Sequence, residues 1–267
     1  MAPFGLSALR SLLGRGVGNT PWQPPESSWS RRFGLGWESP YTVRYASNLD
    51  DGPDHGMPLG GFGAGCLGRS PSGAFNLWNL DGGEHWFGSI PDCQFALWEQ
   101  QGEDVRAHAL ATAPDRDDTD PSGGTPLSAW QWYPASTQGR STGTYAARYP
   151  LSWAHHEDVY RAAVLCEAFS PILPGDYQRT SYPVAVFRWQ FSNPTDQPLE
   201  LSLMLCWRNT VGWFTNTDAA AEVHFRDDGS PEHNYAPAIG RGEGQRNRQV
   251  DQPGLSGVLL EGQPSVP

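Results

Sequence analysis

Apolar and polar residues alternate most regularly between residues 185 and 207. In the first half of this stretch every second residue is apolar, at Ala185, Phe187, Trp189 and Phe191. After a turn-forming segment at 193–198, the alternation resumes at Leu199, Leu201, Leu203, Leu205 and Trp207. A period of two is typical of strands that bury one face, and two such runs around a turn predict an antiparallel hairpin.

Shorter runs of the same kind predict the other strands, at about 62–68, 74–80, 93–99, 145–152, 161–169 and 256–261. No helical periodicity extends beyond two turns in these regions. The pattern therefore predicts an all-β fold, an antiparallel β-sandwich with long loops, rather than alternating strands and helices. Two polar stretches, 100–143 and 240–248, are predicted to be loops.

The chain divides into two parts by composition. Residues 1–55 are rich in Pro, Ser, Gly and Arg, which predicts an extended and partly disordered arm. Residues 56–267 are predicted to form the sandwich domain. Its last predicted strand lies beside the end of the sequence, so we expect the sandwich to be incomplete.

Charge and composition exclude several classes of partner. The net charge is −11 and all 18 basic residues are Arg, so no basic stripe suggests nucleic-acid binding or electrostatic adhesion to anionic lipid. The first sixteen residues show no signal-peptide pattern, and we expect a cytoplasmic protein. Their Leu and Arg residues make a short amphipathic piece, interpreted as a disordered tail, with membrane-surface contact as the alternative.

The cysteines and histidines do not indicate a metal site or a disulfide framework. Cys66, Cys93, Cys166 and Cys206 are far apart, and we interpret those in predicted strands as small buried apolar groups. Neighbouring residues of a strand point to opposite faces, so His155 and His156 cannot easily bind one ion, and we interpret them as part of a solvated turn.

Two loops carry residue types found in binding sites. Residues 63–68 match the glycine pattern of dinucleotide-binding proteins, but the following residues 69–73 cannot begin a useful helix, so the glycines are interpreted as turn and bulge positions. The loop 78–88 places carboxylates, an imidazole and aromatic rings together at Asp81, Glu84, His85 and Trp86. Such a loop can contact a sugar or pack against a neighbouring domain. It lacks the rigidity that a catalytic carboxylate pair needs, and we expect no catalysis there.

Several short motifs resemble one enzyme family. They are Pro58-Leu59-Gly60-Gly61-Phe62-Gly63-Ala64-Gly65, Gly73-Ala74-Phe75, Asp92-Cys93-Gln94-Phe95, Ser170-Pro171-Ile172-Leu173-Pro174-Gly175-Asp176-Tyr177, Pro183-Val184-Ala185-Val186-Phe187 and Trp207-Arg208-Asn209. In this order and spacing they resemble the N-terminal part of glycoside hydrolase family 116, which includes non-lysosomal glucosylceramidases and bacterial β-glucosidases. The resemblance implies a β-sandwich followed by an (α/α)₆ helical domain that carries the catalytic glutamate and aspartate.

The resemblance implies a retaining β-glucosidase or glucosylceramidase that acts without a redox cofactor and hydrolyses a β-glucosyl bond. We assign no catalytic residue and no metal site to this chain, and we expect the isolated polypeptide to be inactive. Arg208 and Trp213 are candidates for a face that meets the helical domain, together with the loop residues Asp81, Glu84, His85 and Trp86. The alternative is a stand-alone carbohydrate-binding or interaction module.

Overall fold

Two layers of antiparallel strands pack face to face in the computed structural model, which describes residues 22–33, 56–80, 86–113, 131–212, 222–225, 227–234 and 243–263. The predicted all-β sandwich is confirmed. One layer is a five-stranded sheet in the order β1-β11-β12-β13-β14. Its strands are β1 (Trp29–Arg32), β11 (Gly143–Arg148), β12 (Leu151–His156), β13 (Ala163–Phe169) and β14 (Val186–Ser192).

The facing layer consists of two four-stranded sheets that adjoin each other. The first, in the order β2-β3-β4-β5, contains β2 (Met57–Leu59), β3 (Cys66–Arg69), β4 (Phe75–Asn79) and β5 (Trp86–Phe87). The second, in the order β15-β6-β7-β8, contains β15 (Glu200–Cys206), β6 (Gln94–Gln101), β7 (Asp104–Thr112) and β8 (Trp132–Tyr133). All its pairs are antiparallel except β7 with β8.

Three two-stranded pairs and one short helix complete the described residues. Two-stranded pairs are formed by β9 (Ser136–Thr137) with β10 (Arg140–Ser141), by β16 (Glu222–Phe225) with β17 (Pro231–Asn234), and by β18 (Glu243–Gln252) with β19 (Leu255–Gln263). The last pair is a long ribbon, which we call the C-terminal ribbon. One short helix, α1 (Tyr177–Thr180), precedes β14.

The predicted hairpin at 185–207 is wrong, although its two strands exist. Strand β14 pairs with β13 in the five-stranded sheet, whereas β15 pairs with β6 in the opposite layer. The segment 193–199 therefore crosses between the layers instead of turning back within one sheet. Alternation shows which residues share a face of a strand, but it does not choose the neighbouring strand.

Several predicted boundaries also need correction. The strand predicted at 145–152 is two strands, because a turn at Tyr149–Pro150 separates β11 from β12. Part of the predicted loop 100–143 is the nine-residue strand β7, and part of the predicted loop 240–248 begins β18. His155 and His156 lie in β12 rather than in a solvated turn.

The core between the layers is largely aromatic. Phe95 of β6 contacts Phe187 and Trp189 of β14, with ring centroids 5.2 and 5.0 Å apart, and Trp207 packs against Phe75 at 5.1 Å. Cys93 and Cys166 are 1% exposed, and all four cysteines are free thiols. The interpretation of these two cysteines as small buried apolar groups is confirmed.

A buried cation also lies between the layers. The Arg69 guanidinium donates to the backbone oxygens of Gly73 and Leu110 at 2.9 and 2.8 Å, and it stacks over the rings of Phe95 and Trp189. Burial, together with this positive charge, lowers the pKa of His156 well below its usual range. The His156 imidazole is therefore neutral in the core.

A hydrogen-bonded carboxylate joins strand β1 to the end of β12 within the five-stranded sheet. Arg32 of β1 donates to both Glu157 oxygens, at 3.1 and 2.9 Å, and His155 Nδ1 lies 3.0 Å from the same carboxylate. Partial burial favours the neutral acid, but the hydrogen bonds from His155 and Arg32 outweigh it and lower the pKa of Glu157 to about 2.

This carboxylate predicts a specific loss of stability in acid. Because the folded-state pKa is depressed, the stabilisation from Glu157 is full above its ordinary pKa of 4.5 and is lost as the pH falls toward about 2. Glu157→Gln is expected to lower the free energy of unfolding by about 2 kcal/mol near neutral pH. The difference from the parent protein should shrink through that acid window in urea titrations. A difference that stays constant with pH contradicts this assignment.

Candidate contact surface

Two of the motifs that are distant in sequence meet at one end of the sandwich. The amide of Gly60 donates to the Ser170 hydroxyl at 2.7 Å, and the amide of Phe62 donates to the Thr180 carbonyl at 2.9 Å. The glycine loop before β3 is thus hydrogen-bonded to the proline-rich loop around helix α1. These two hydrogen bonds hold both loops in a fixed relation to each other.

Local sequence explains why the second loop has this shape. Asp176 caps α1 by accepting from the amide of Arg179 at 3.0 Å, and this hydrogen bond lowers the pKa of the Asp176 carboxyl. The Thr180 hydroxyl and the backbone of Leu173 form a reciprocal pair of hydrogen bonds at 2.9 and 3.1 Å. The loop is therefore closed on itself around one buried threonine.

The glycines of the first loop permit the close approach. A Cβ on Gly61 would lie only 2.4 Å from the carbonyl oxygen of Ser181, so a larger residue would push the loops apart. Gly65 has a φ of +79°, and a Cβ there would lie 2.3 Å from the Asn79 oxygen. The interpretation of these glycines as turn and close-contact positions agrees with this geometry, and β3 rather than a helix follows them.

The joined loops expose four large apolar side chains, which we call the aromatic corner. Their exposed fractions are 66% for Phe62, 76% for Tyr177, 50% for Tyr182 and 39% for Val184. Thr180 closes the loop, and the Tyr177 ring faces solvent. Rings held by a rigid backbone lose little conformational entropy on binding, and they suit contact with an apolar surface or with the C–H face of a sugar.

Arg208, a candidate from the sequence, is bound within this chain. Its Nε donates to Asp92 Oδ2 at 2.9 Å, Nη2 also contacts that oxygen, and its amide points to Cys93 Sγ at 3.4 Å. Its side chain is 17% exposed. This pair joins the start of β6 to the end of β15, so two more of the motifs meet in space. A role of Arg208 toward a second domain stays a prediction.

The other candidates from the sequence are placed only in part. Asp81, Glu84, His85 and Trp213 lie outside the described residues. The backbone of Trp86 pairs with Trp78, because β5 adds to the edge of β4. Residues 81–85 connect β4 to β5 along the sequence, and their predicted contact with a sugar or a domain stays a prediction.

Three buried or half-buried glutamates have structural partners. Glu99 is 0% exposed and accepts the amides of Arg161 and Ala162 at 2.9 and 2.8 Å. Glu167 accepts from Trp153 Nε1 at 3.1 Å and pairs with Arg188 at 2.7 Å. Glu157 is bound by Arg32 and His155, as described above. These contacts offset the cost of burying each carboxylate.

Two further properties hold for the described residues. No group of three or more His, Cys, Asp or Glu side chains has an arrangement that could hold a metal ion in this part of the chain. Among the described helices, none has the length and apolar character needed to cross a membrane.

Comparison with known families assigns the sandwich. A family model described as beta-glucosidase 2, glycosyl-hydrolase family 116 N-term, matches residues 56–265. That match covers most of the 267 residues and includes all the motifs that meet at the aromatic corner and at the Asp92–Arg208 pair. The chain belongs to the family of N-terminal domains of glycosyl hydrolase family 116 β-glucosidases.

Proposed function

We propose that this chain is the supporting domain of a retaining β-glucosidase, and that the catalytic glutamate and aspartate lie in a helical domain outside this sequence. In that enzyme one carboxylate attacks the anomeric carbon while the other protonates the leaving group, and water then hydrolyses the glucosyl-enzyme. The present chain supplies no member of that pair. It covers part of the helical domain and forms part of the rim of the active site.

The aromatic corner carries this proposal. Phe62, Tyr177 and Tyr182 are too exposed to serve the core of the sandwich, yet their backbone is fixed by hydrogen bonds and close glycine contacts. Exposed apolar groups on a rigid frame are characteristic of an interaction site. The buried glutamates have structural partners, which supports a role in assembly rather than in bond cleavage.

The substrate of the complete enzyme is proposed to be a β-glucoside, with glucosylceramide as one candidate. A rim with tyrosine and phenylalanine rings suits an aglycone that has an apolar portion, because the rings provide apolar area and the tyrosine hydroxyls provide hydrogen bonds. Comparing hydrolysis of glucosylceramide and of a short aryl β-glucoside by the assembled enzyme would test this choice.

The test of assembly measures binding to a separately purified helical domain of a family 116 enzyme. We expect the chain alone to leave 4-nitrophenyl β-D-glucoside intact and to bind the helical domain. The double variant Tyr177→Ala, Tyr182→Ala should weaken that binding at least ~10-fold, which corresponds to about 1.4 kcal/mol. Calorimetric titration gives the dissociation constants.

Val105→Ala is the matched control. Val105 is 48% exposed and pairs with Gln100 in β6, beside the crossover 193–199 at the opposite end of the sandwich from the aromatic corner. Its replacement should leave binding unchanged. Equal effects of both sets of substitutions would refute the assigned surface, and hydrolysis by the chain alone at an enzyme-like rate would refute the supporting role.

A carbohydrate-binding module is the second candidate, and the same exposed rings favour it. Titration of the isolated chain with cellobiose separates the two functions. Sugar binding that disappears in the Tyr177→Ala variant, without any affinity for a helical domain, would select the module.

A further inference from the structure

Strand β15 forms an edge of the sandwich with an unusual amount of apolar surface. Among the described residues it pairs only with β6, so its other side presents unpaired backbone amides and carbonyls. Leu203, Met204 and Leu205 are 38%, 52% and 50% exposed. The alternation had predicted Leu203 and Leu205 to be buried, and they are exposed because the strand lies at an edge.

Soluble proteins normally protect such an edge. Charged residues, prolines and bulges are the usual means, because a bare apolar strand is a template for pairing with another chain. In β15 the only charged residue is Glu200, at its first position, and the pairing with β6 is regular from end to end. Nothing in the strand itself discourages the addition of a further strand.

The neighbouring edge of the other layer is also incompletely covered. All seven residues of β14 are only half-buried, although Phe187, Trp189 and Phe191 point toward the core. The crossover 193–199 connects β14 directly to β15, so both edges border the same open side of the sandwich. A partner that pairs with β15 would therefore also shield the adjacent aromatic residues.

We propose that a second copy of this chain occupies this edge, with the two β15 strands antiparallel around a twofold axis at Leu203. In this register Leu201 lies opposite Leu205 of the second copy, and Leu203 lies opposite its own counterpart. Directly opposite residues point to the same face of a sheet, so six leucines form one continuous row. The β15-β6-β7-β8 sheets of the two copies then form one continuous sheet of eight strands.

The sequence of β15 is complementary to itself in this register. Glu200 lies opposite the uncharged Cys206, and Ser202 lies opposite Met204, so no like charges face each other across the axis. A twofold interface uses the same patch on both copies, which requires this kind of self-complementarity. The inference is independent of the proposed enzymatic role.

The C-terminal ribbon is a weaker candidate for the same interaction. Leu255 and Val258 are 60% and 65% exposed there. However, the facing strand β18 carries Arg246, Arg248 and Asp251, which protect an edge against pairing. The ribbon is instead useful as a control surface.

The first test is the mass of the chain in solution. Light scattering after size exclusion should give twice the monomer mass of 29.3 kDa at micromolar concentrations. Leu205→Arg should return the monomer mass, whereas Leu255→Arg on the ribbon should leave the dimer intact. Circular dichroism checks that both variants are folded. A monomer at every concentration, or equal effects of the two substitutions, overturns the proposal.

The second test examines the register through a disulfide. Glu200→Cys would place a thiol opposite the native Cys206 of the second copy, so oxidation with diamide should give a covalent dimer. Adding Cys206→Ser should abolish that product, and Asp196→Cys in the exposed crossover should not give it. A dimer by mass that fails to form this disulfide overturns the proposed pairing of the strands.

Discussion

Replacement of Glu99 by alanine is expected to lower the free energy of unfolding by about 3–5 kcal/mol, because it leaves buried groups without their partner. Glu99 is fully buried in β6, and its two oxygens accept the amides of Arg161 and Ala162. These contacts fasten the segment between β12 and β13 to the opposite layer. Urea unfolding followed by circular dichroism measures the loss.

Two further substitutions make this result specific. Glu99→Gln retains one acceptor oxygen and should cost about 1–3 kcal/mol, less than the alanine variant. Glu103→Ala removes an exposed carboxylate in the adjacent turn and should change stability by about 0.5 kcal/mol or less. If Glu99→Ala is no more damaging than Glu103→Ala, the carboxylate does not join the layers as described.

The second large effect is expected at Trp78. This indole is 0% exposed, its Nε1 donates to the Gly88 carbonyl at 2.8 Å, and its ring lies 5.5 Å from that of Trp207. Trp78→Ala creates a large cavity and removes the donor, so we expect a loss of about 3–5 kcal/mol. The same urea titration measures it.

A conservative variant keeps this prediction testable if the alanine variant does not fold. Trp78→Phe retains a ring but loses the hydrogen bond, and it should lie between the parent and the alanine variant. Trp29→Ala, at a site that is 41% exposed, should have a much smaller effect. Similar losses at Trp78 and Trp29 would show that burial does not control stability here.

Much of the fold follows from local pattern. In the predicted strand 93–99, a period of two places Cys93, Phe95 and Leu97 on one face, and all three residues are at most 5% exposed. Strand β7 was missed because its inward face carries Arg106, His108 and Leu110, which do not form an apolar alternation, and its other face carries small alanines with weak strand preference. Such a sequence gives almost no strand signal until the neighbouring strand β6 is known.

Pairing across long distances was not predictable. Nothing in the sequence indicates that Arg208 pairs with Asp92, which lies 116 positions earlier. The crossover 193–199 is also short enough to form a hairpin loop, so its length does not reveal that it joins the two layers. The aromatic corner was hidden for a related reason. Phe62 and Tyr177 occupy turns, and only the hydrogen bonds between the two loops show that both rings belong to one exposed surface.

The pairing of β15 with the distant strand β6 also affects how the domain folds during synthesis. Strand β6 receives its neighbour β15 only after about 100 further residues have been made, which takes roughly 5–20 s at ~5–20 residues per second. Throughout that interval one side of β6 has no strand beside it. The growing chain therefore carries a half-built sheet during this interval, and a chaperone that shields extended apolar segments would act on this intermediate.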